Sequence, residues 1–103
     1  MTIGEPRQLE IDSPTEYKKL TRQQQEKLRK WIQTDVVPHK IKSFRGISSY
    51  AIKHIFEETE EGFYITNGQM KGAMQEAGLK PRDERVKNWE YPLSVKIFET
   101  SSI

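Results

Sequence analysis

The stretch TNGQMKGAMQEAG, Thr66 to Gly78, begins and ends like a helix but is filled in an unusual way. Thr66 or Asn67 supplies a cap, Gly78 supplies a stop, and Met70, Ala73, Met74 and Ala77 recur at i, i+3, i+4 and i+7. The apolar stripe is therefore narrow and made of small or flexible side chains. Gly72 falls mid-helix, where glycine costs up to about 1 kcal/mol relative to alanine. Close approach by another backbone, by a bulky aromatic such as Trp89, or by a partner would account for it, so any fold for this chain must put something against this helix.

Two further helices precede it. In SPTEYKKL, Ser13 can cap, Pro14 suits the first helical position and Glu16 completes a capping box; Thr21 with Gln24 starts a second helix at once. The favoured reading is a short helical turn and then a helix from about Thr21 to Asp35, with one continuous helix as the alternative. Leu20, Leu28, Trp31, Ile32 and Val36 share one face of it, while Arg22, Lys27, Arg29 and Lys30 lie mostly on the others. Pro38 ends it. Ser48 or Ser49 caps SYAIKHIFEETEE, whose inward face is Ala51, Ile52, Ile55 and Phe56, and Gly62 is expected to close it in a left-handed conformation.

Two connectors carry the remaining β signal. PHKIKSFRGISS interleaves cations with Ile41, Phe44 and Ile47, which fits a short strand or extended arm, or a loop whose cations face phosphate. WEYPLSVKIFE is apolar and aromatic enough for a terminal strand or hairpin arm, with Pro92 keeping its start off a central position. The fold class is α+β: a three-helix core, helix-turn-helix or winged-helix-like, with a short C-terminal strand or hairpin. Leu, Ile, Val and Phe number 23 of 103 residues, just above the fraction of about one fifth that separates folded from disordered chains. One domain spanning 1–103 is expected, with residues 1–12 and 100–103 flexible.

Composition removes several functions. There is no cysteine, which excludes disulfides, thiolate nucleophiles and Cys-rich zinc sites. No apolar run approaches the length a bilayer needs, and MTIGEPRQLEID lacks the regions of a signal peptide, so a soluble, cytoplasmic protein with no membrane partner is expected. No Ser/His/Asp order, inward carboxylate pair or cofactor motif stands out, which argues against an enzyme and against any cofactor. His54 with Glu57 or Glu58 has one-turn spacing, but a surface His–Glu pair explains it better than a metal, His39 being the only other histidine.

Charge is the strongest functional signal. Residues 18–54 hold ten basic side chains against two acids, between acidic flanks, which points to a polyanionic partner, DNA or RNA. Lys18, Arg22, Arg29, Lys30, Lys40, Lys42, Arg45 and Lys53 are the candidate backbone contacts, and Phe44 or Tyr50 can stack on an unpaired base, though core packing suits both rings better. In a helix-turn-helix arrangement the third helix would turn Asn67, Gln69, Lys71 and Gln75 outward to read bases. Its N-terminus, with Gly68 and Lys71, also raises an anion site, but lacks the spacing of a phosphate-binding loop and reads as a capped start. The acidic run Glu57, Glu58, Glu60 and Glu61 opposes the helix dipole and is not explained by helix stability.

The motifs SSYAIKH, GFYITNGQMKGAMQEAGLKP and NWEYPLS, in that order, resemble a group of small functionally uncharacterised proteins encoded by bacteriophages, prophages and plasmids. The resemblance is strongest from Ser48 to Trp89. Met70, where members often carry a larger apolar residue, and Pro92 depart from the pattern. The resemblance implies a mobile-element setting inside a bacterial cell, and with it two classes of function: handling of DNA or RNA, or binding of a host protein through the Glu57–Glu61 ridge or a patch around Trp89 and Tyr91.

Overall fold

The computed structural model describes residues 10–100 as an α+β domain of several helices with one short two-stranded antiparallel sheet. Two 3-10 turns, Glu10–Asp12 and Pro14–Lys19, lead into α1 (Arg22–Trp31). A π-helical stretch, Ile32–Val36, and a 3-10 turn, Val37–His39, carry α1 onward to Lys40. Then come β1 (Ile47–Ser48), α2 (Ser49–Glu57), α3 (Asn67–Glu76), β2 (Glu90–Tyr91) and α4 (Ile97–Thr100).

The caps act as the residues dictate. Thr21 and Gln24 form a reciprocal capping box at α1, and Thr66 and Gln69 form the same box at α3. Ser48 caps α2 by accepting from the Ala51 amide at 3.2 Å. At the end of α3, Gly78 has φ +85° while its amide donates to Gln75 and the Leu79 amide to Met74, a Schellman motif closed by the buried pair Leu79 and Met74. Gly62, expected to be left-handed, is not; α2 ends instead with Thr59, whose amide and hydroxyl both donate to the Phe56 carbonyl.

The core forms where the faces of α1, α2 and α3 meet. Leu20, Leu28, Ile32 and Val36 come from the α1 side, Ile52, Ile55 and Phe56 from α2, and Met70, Ala73 and Met74 from α3. Phe56 holds two T-shaped contacts, with Trp31 at 5.2 Å and Phe63 at 5.0 Å between centroids. The expected C-terminal strand is present as β2, and its partner is distant in sequence rather than a hairpin arm, with Ile47 opposite Tyr91, Ser48 opposite Glu90, and a bridge between Lys40 and Leu93. Segment 95–100 is not a strand: Ser94 accepts from the Lys96 amide through its hydroxyl and from the Ile97 amide through its carbonyl, and a short helix follows.

What lies against Gly72 is the N-terminal backbone. A methyl group at Gly68 would overlap the Ser13 carbonyl oxygen and sit 2.6 Å from that of Ile11, and one at Gly72 would overlap the Pro14 carbonyl oxygen and the Tyr17 side chain. Residues 11–17 thus form a strap laid directly on α3. Asp12, placed in the segment expected to be flexible, is buried at the end of the Glu10–Asp12 turn; residues 1–9 and 101–103 of that expectation lie outside the described residues.

Candidate nucleic-acid interface

Seven of the eleven expected contact residues are exposed: Lys18, Arg22, Arg29, Lys30, Lys40, Lys42 and Arg45. The other four belong to α2 and α3, and the fold uses them internally. Lys53 is 7% exposed, with its ammonium 2.8 Å from Glu57 Oε2 and 4.8 Å from the Tyr64 ring centroid. Asn67 is 6% exposed and Lys71 0%, so the outward face expected of α3 does not exist at these positions. Gln69 is half-buried and accepts from the Thr66 amide in the capping box.

The strap explains this reversal. By covering Gly68 and Gly72 it encloses the adjacent face of α3 and brings polar groups to meet Asn67 and Lys71. Asn67 Nδ2 has two protons and three acceptors within 3.1 Å: Asp12 Oδ1, the Lys87 carbonyl and Asn88 Oδ1. Its Oδ1 accepts from Ser49 Oγ at 2.8 Å, and Ser49 Oγ in turn accepts from the Trp89 amide at 3.1 Å. Lys71 Nζ donates to the Asp12 carbonyl at 2.9 Å and lies 4.8 Å from the Trp89 ring centroid. Burial pushes the Lys71 ammonium below its ordinary pKa; the Asp12 carboxylate opposes that shift and Lys87 reinforces it. The α3 N-terminus is therefore a structural junction, and the anion site raised by its sequence is occupied by the protein's own strap.

The outer side of α1 has the opposite character. Arg29, Arg22, Glu26, Lys30 and Lys27 follow one another around its exposed arc at 100° per residue, four cations to one carboxylate. A groove opens on either side. The first, about 630 Å³, lies between the strap, α1 and α3, and is lined by Lys18, Arg22 and Arg29 with Glu26 and Glu76 over Tyr17 and Gly72. Burial, then Glu76, raise the Tyr17 hydroxyl above its ordinary pKa, and Arg29 pulls it back. The second groove, about 640 Å³, lies between α1 and the end of α2, with Lys27 and Lys30 facing Glu60 and Glu61 over Trp31 and Phe56.

This geometry accounts for much of the acidic run. Glu57 accepts from the Ile65 amide at 3.1 Å, pairs with Lys53, and lies 3.5 Å from His54 Nδ1; Glu60 and Glu61 face the α1 cations. Trp89 and Tyr91, named as a possible protein-binding patch, are 4% and 0% exposed, so no such patch exists at these rings.

A second basic surface is the loop between His39 and β1. Lys40, Lys42 and Arg45 are exposed, and Phe44, expected to pack in the core, is 37% exposed with the Arg82 guanidinium 5.7 Å from its ring centroid. The loop is pinned at both ends: the Ile41 amide donates to the Pro92 carbonyl at 2.9 Å and the Gly46 amide to Glu90 Oε2 at 2.7 Å. Among the described residues, none of Lys18, Arg22, Lys27, Arg29, Lys30, Lys40, Lys42 and Arg45 makes an ion pair. No family model, curated protein or solved structure matches the chain.

Proposed function

We propose that this protein is a non-enzymatic nucleic-acid-binding accessory or regulatory protein that contacts the phosphate backbone through the outer face of α1 and the Lys40–Arg45 loop. The supporting observation is that, among the described residues, none of Arg22, Lys27, Arg29, Lys30, Lys40, Lys42 and Arg45 makes an ion pair, while Lys53, Asn67 and Lys71 of α2 and α3 are consumed inside the fold. Cations held in water at no cost to the fold are available to replace the counterions of a polyanion. Base reading by a helix-turn-helix has no support in this arrangement, because α3 is covered by the strap and α2 joins it through the nine residues 58–66 in place of a tight turn. The resemblance to phage, prophage and plasmid proteins supports a bacterial, cytoplasmic, mobile-element setting, and among the described residues no helix is long and apolar enough to cross a membrane.

Titration of labelled single- and double-stranded DNA at several salt concentrations tests the reading. Binding at low salt should weaken steeply as salt rises, and replacing Lys40, Lys42 and Arg45 together by alanine should weaken it at least about tenfold with the fold intact. Absence of binding at low salt, or binding without a salt slope, would overturn the proposal. The second groove favours one other reading, a module that binds a bacterial host protein, because its aromatic floor of Trp31 and Phe56 is rimmed by charges of both signs. A stoichiometric protein retained from nuclease-treated bacterial lysate would favour that reading.

A further inference from the structure

Resting on that reading, we infer that the Lys40–Gly46 loop is a stacking site for an unpaired base, so that the protein prefers single-stranded nucleic acid to duplex. Phe44 carries the inference. A phenyl ring on a loop of this composition gains most by entering the core, and this one does not: it stands partly exposed beside Arg82, on a loop whose Lys42 and Arg45 are exposed. The fold nevertheless holds its neighbourhood in place. Glu90 reaches Gly46 through one carboxylate oxygen, at 2.7 Å, and Arg82 through the other, at 3.5 Å, so the same side chain fixes the end of the loop and the guanidinium beside the ring. The Lys40–Leu93 bridge and the Ile41 to Pro92 hydrogen bond hold the other end to the segment that follows β2. A ring held at the surface before binding loses little freedom when a base lands on it.

The chemistry selects an unpaired base. Every base has a π face, and an aromatic ring flanked by cations offers stacking and phosphate contact at adjacent positions along a strand. A duplex already spends its base faces on neighbouring pairs, so it satisfies the cations and leaves the ring unused. Arg82 stands 5.7 Å from the ring centroid, Lys40, Lys42 and Arg45 are exposed on the same loop, and Glu90, half-buried and committed to Gly46 and Arg82, is the carboxylate that touches the group. DNA and RNA single strands share the chemistry; a 2′-hydroxyl is needed for neither contact.

The test uses the full chain and four labelled probes of equal phosphate number: a thymidine oligomer, a uridine oligomer, a mixed-sequence duplex, and an abasic single strand that keeps the phosphates and lacks the bases. Both base-bearing single strands should bind roughly tenfold more tightly than the abasic strand and the duplex. Phe44→Leu, which keeps an apolar side chain and removes the π face, should erase that advantage while leaving abasic and duplex binding unchanged; Phe44→Trp should retain it. A uridine oligomer that binds like the abasic strand while thymidine keeps its advantage would overturn the indifference to sugar. Equal affinity for abasic and base-bearing strands, or a Phe44→Leu variant that binds as the parent does, would overturn stacking while leaving phosphate contact standing. No binding to any probe at low salt would overturn both.

Discussion

Helices α1 and α3 have the same length, ten residues, and the same start, a threonine cap with glutamine three residues on, yet they do opposite things with their polar side chains. In α1 one residue, Leu28, is buried and the cations stand in water; in α3 seven are buried, Asn67 and Lys71 among them. The difference comes from what crosses each helix. Among the described residues nothing buries the outer arc of α1, whereas the strap at residues 11–17 lies on Gly68 and Gly72. Side chains at i and i+4 that would be exposed on a free helix become the partners of that strap. A helix therefore presents a polar face only when its neighbouring face carries side chains large enough to keep other backbone away.

Substitutions at the glycine seam should break the comparison most severely. In a solvated helix Gly→Ala stabilises by about 1 kcal/mol, but Gly72→Ala should destabilise this protein by about 2 to 3 kcal/mol in denaturant unfolding, because the methyl overlaps the Pro14 carbonyl oxygen and Tyr17. A neutral or stabilising Gly72→Ala would show that the strap is not packed as described. Next comes Asn67→Ala, expected to cost about 2 kcal/mol, since it strands Asp12 Oδ1 and removes the acceptor of Ser49 Oγ in a buried site. The same measurement reads it.

Charges on α1 should behave inversely. Arg22, Arg29 and Lys30 replaced together by alanine should weaken DNA binding by about tenfold or more, while each change alters stability by no more than about 0.5 kcal/mol. A loss of stability without a loss of binding would give α1 the role assigned to α3. The smallest effect is expected at Tyr91, whose buried hydroxyl has no partner among the described residues. Tyr91→Phe should be neutral or stabilise by about 1 kcal/mol. Burial, then Glu84, raise this hydroxyl above its ordinary pKa of 10.0, so the folded state keeps the proton after the unfolded state begins to release it. Parent stability should accordingly fall relative to Tyr91→Phe as pH rises above 10.

Helix ends and helix faces in this chain follow from local signals, and its long-range contacts do not. Thr21 with Gln24, Ser48 and Gly78 mark their helix ends through contacts within a few residues, and the apolar faces of α1 and α2 follow from period alone. The sheet was not legible in this way, because Ile47 meets Tyr91 across 44 residues and neither strand is longer than two. The orientation of Asn67 and Lys71 was misread for a related reason, since their partners, Asp12 and residues 87–89, are distant in sequence. One local signal pointed to it: Gly68 and Gly72, four apart, form a bare strip beside the polar pair. Among the candidate contacts, exposure of the seven cations on α1, its approach and the 40–46 loop is legible because Lys and Arg stay in water beside the few apolar residues these segments bury, such as Leu20 and Leu28, whereas Phe44 is not where its residue type points, because an aromatic is ordinarily drawn inward.

The most direct test of the contrast between the two helices is a map of backbone amide shifts during titration with a single-stranded DNA oligomer. The expected result is progressive change at residues 18–30 and 40–46, with Asn67 to Lys71 unmoved. Shifts concentrated on Asn67 to Lys71, or a spectrum that does not respond at low salt, would contradict the account.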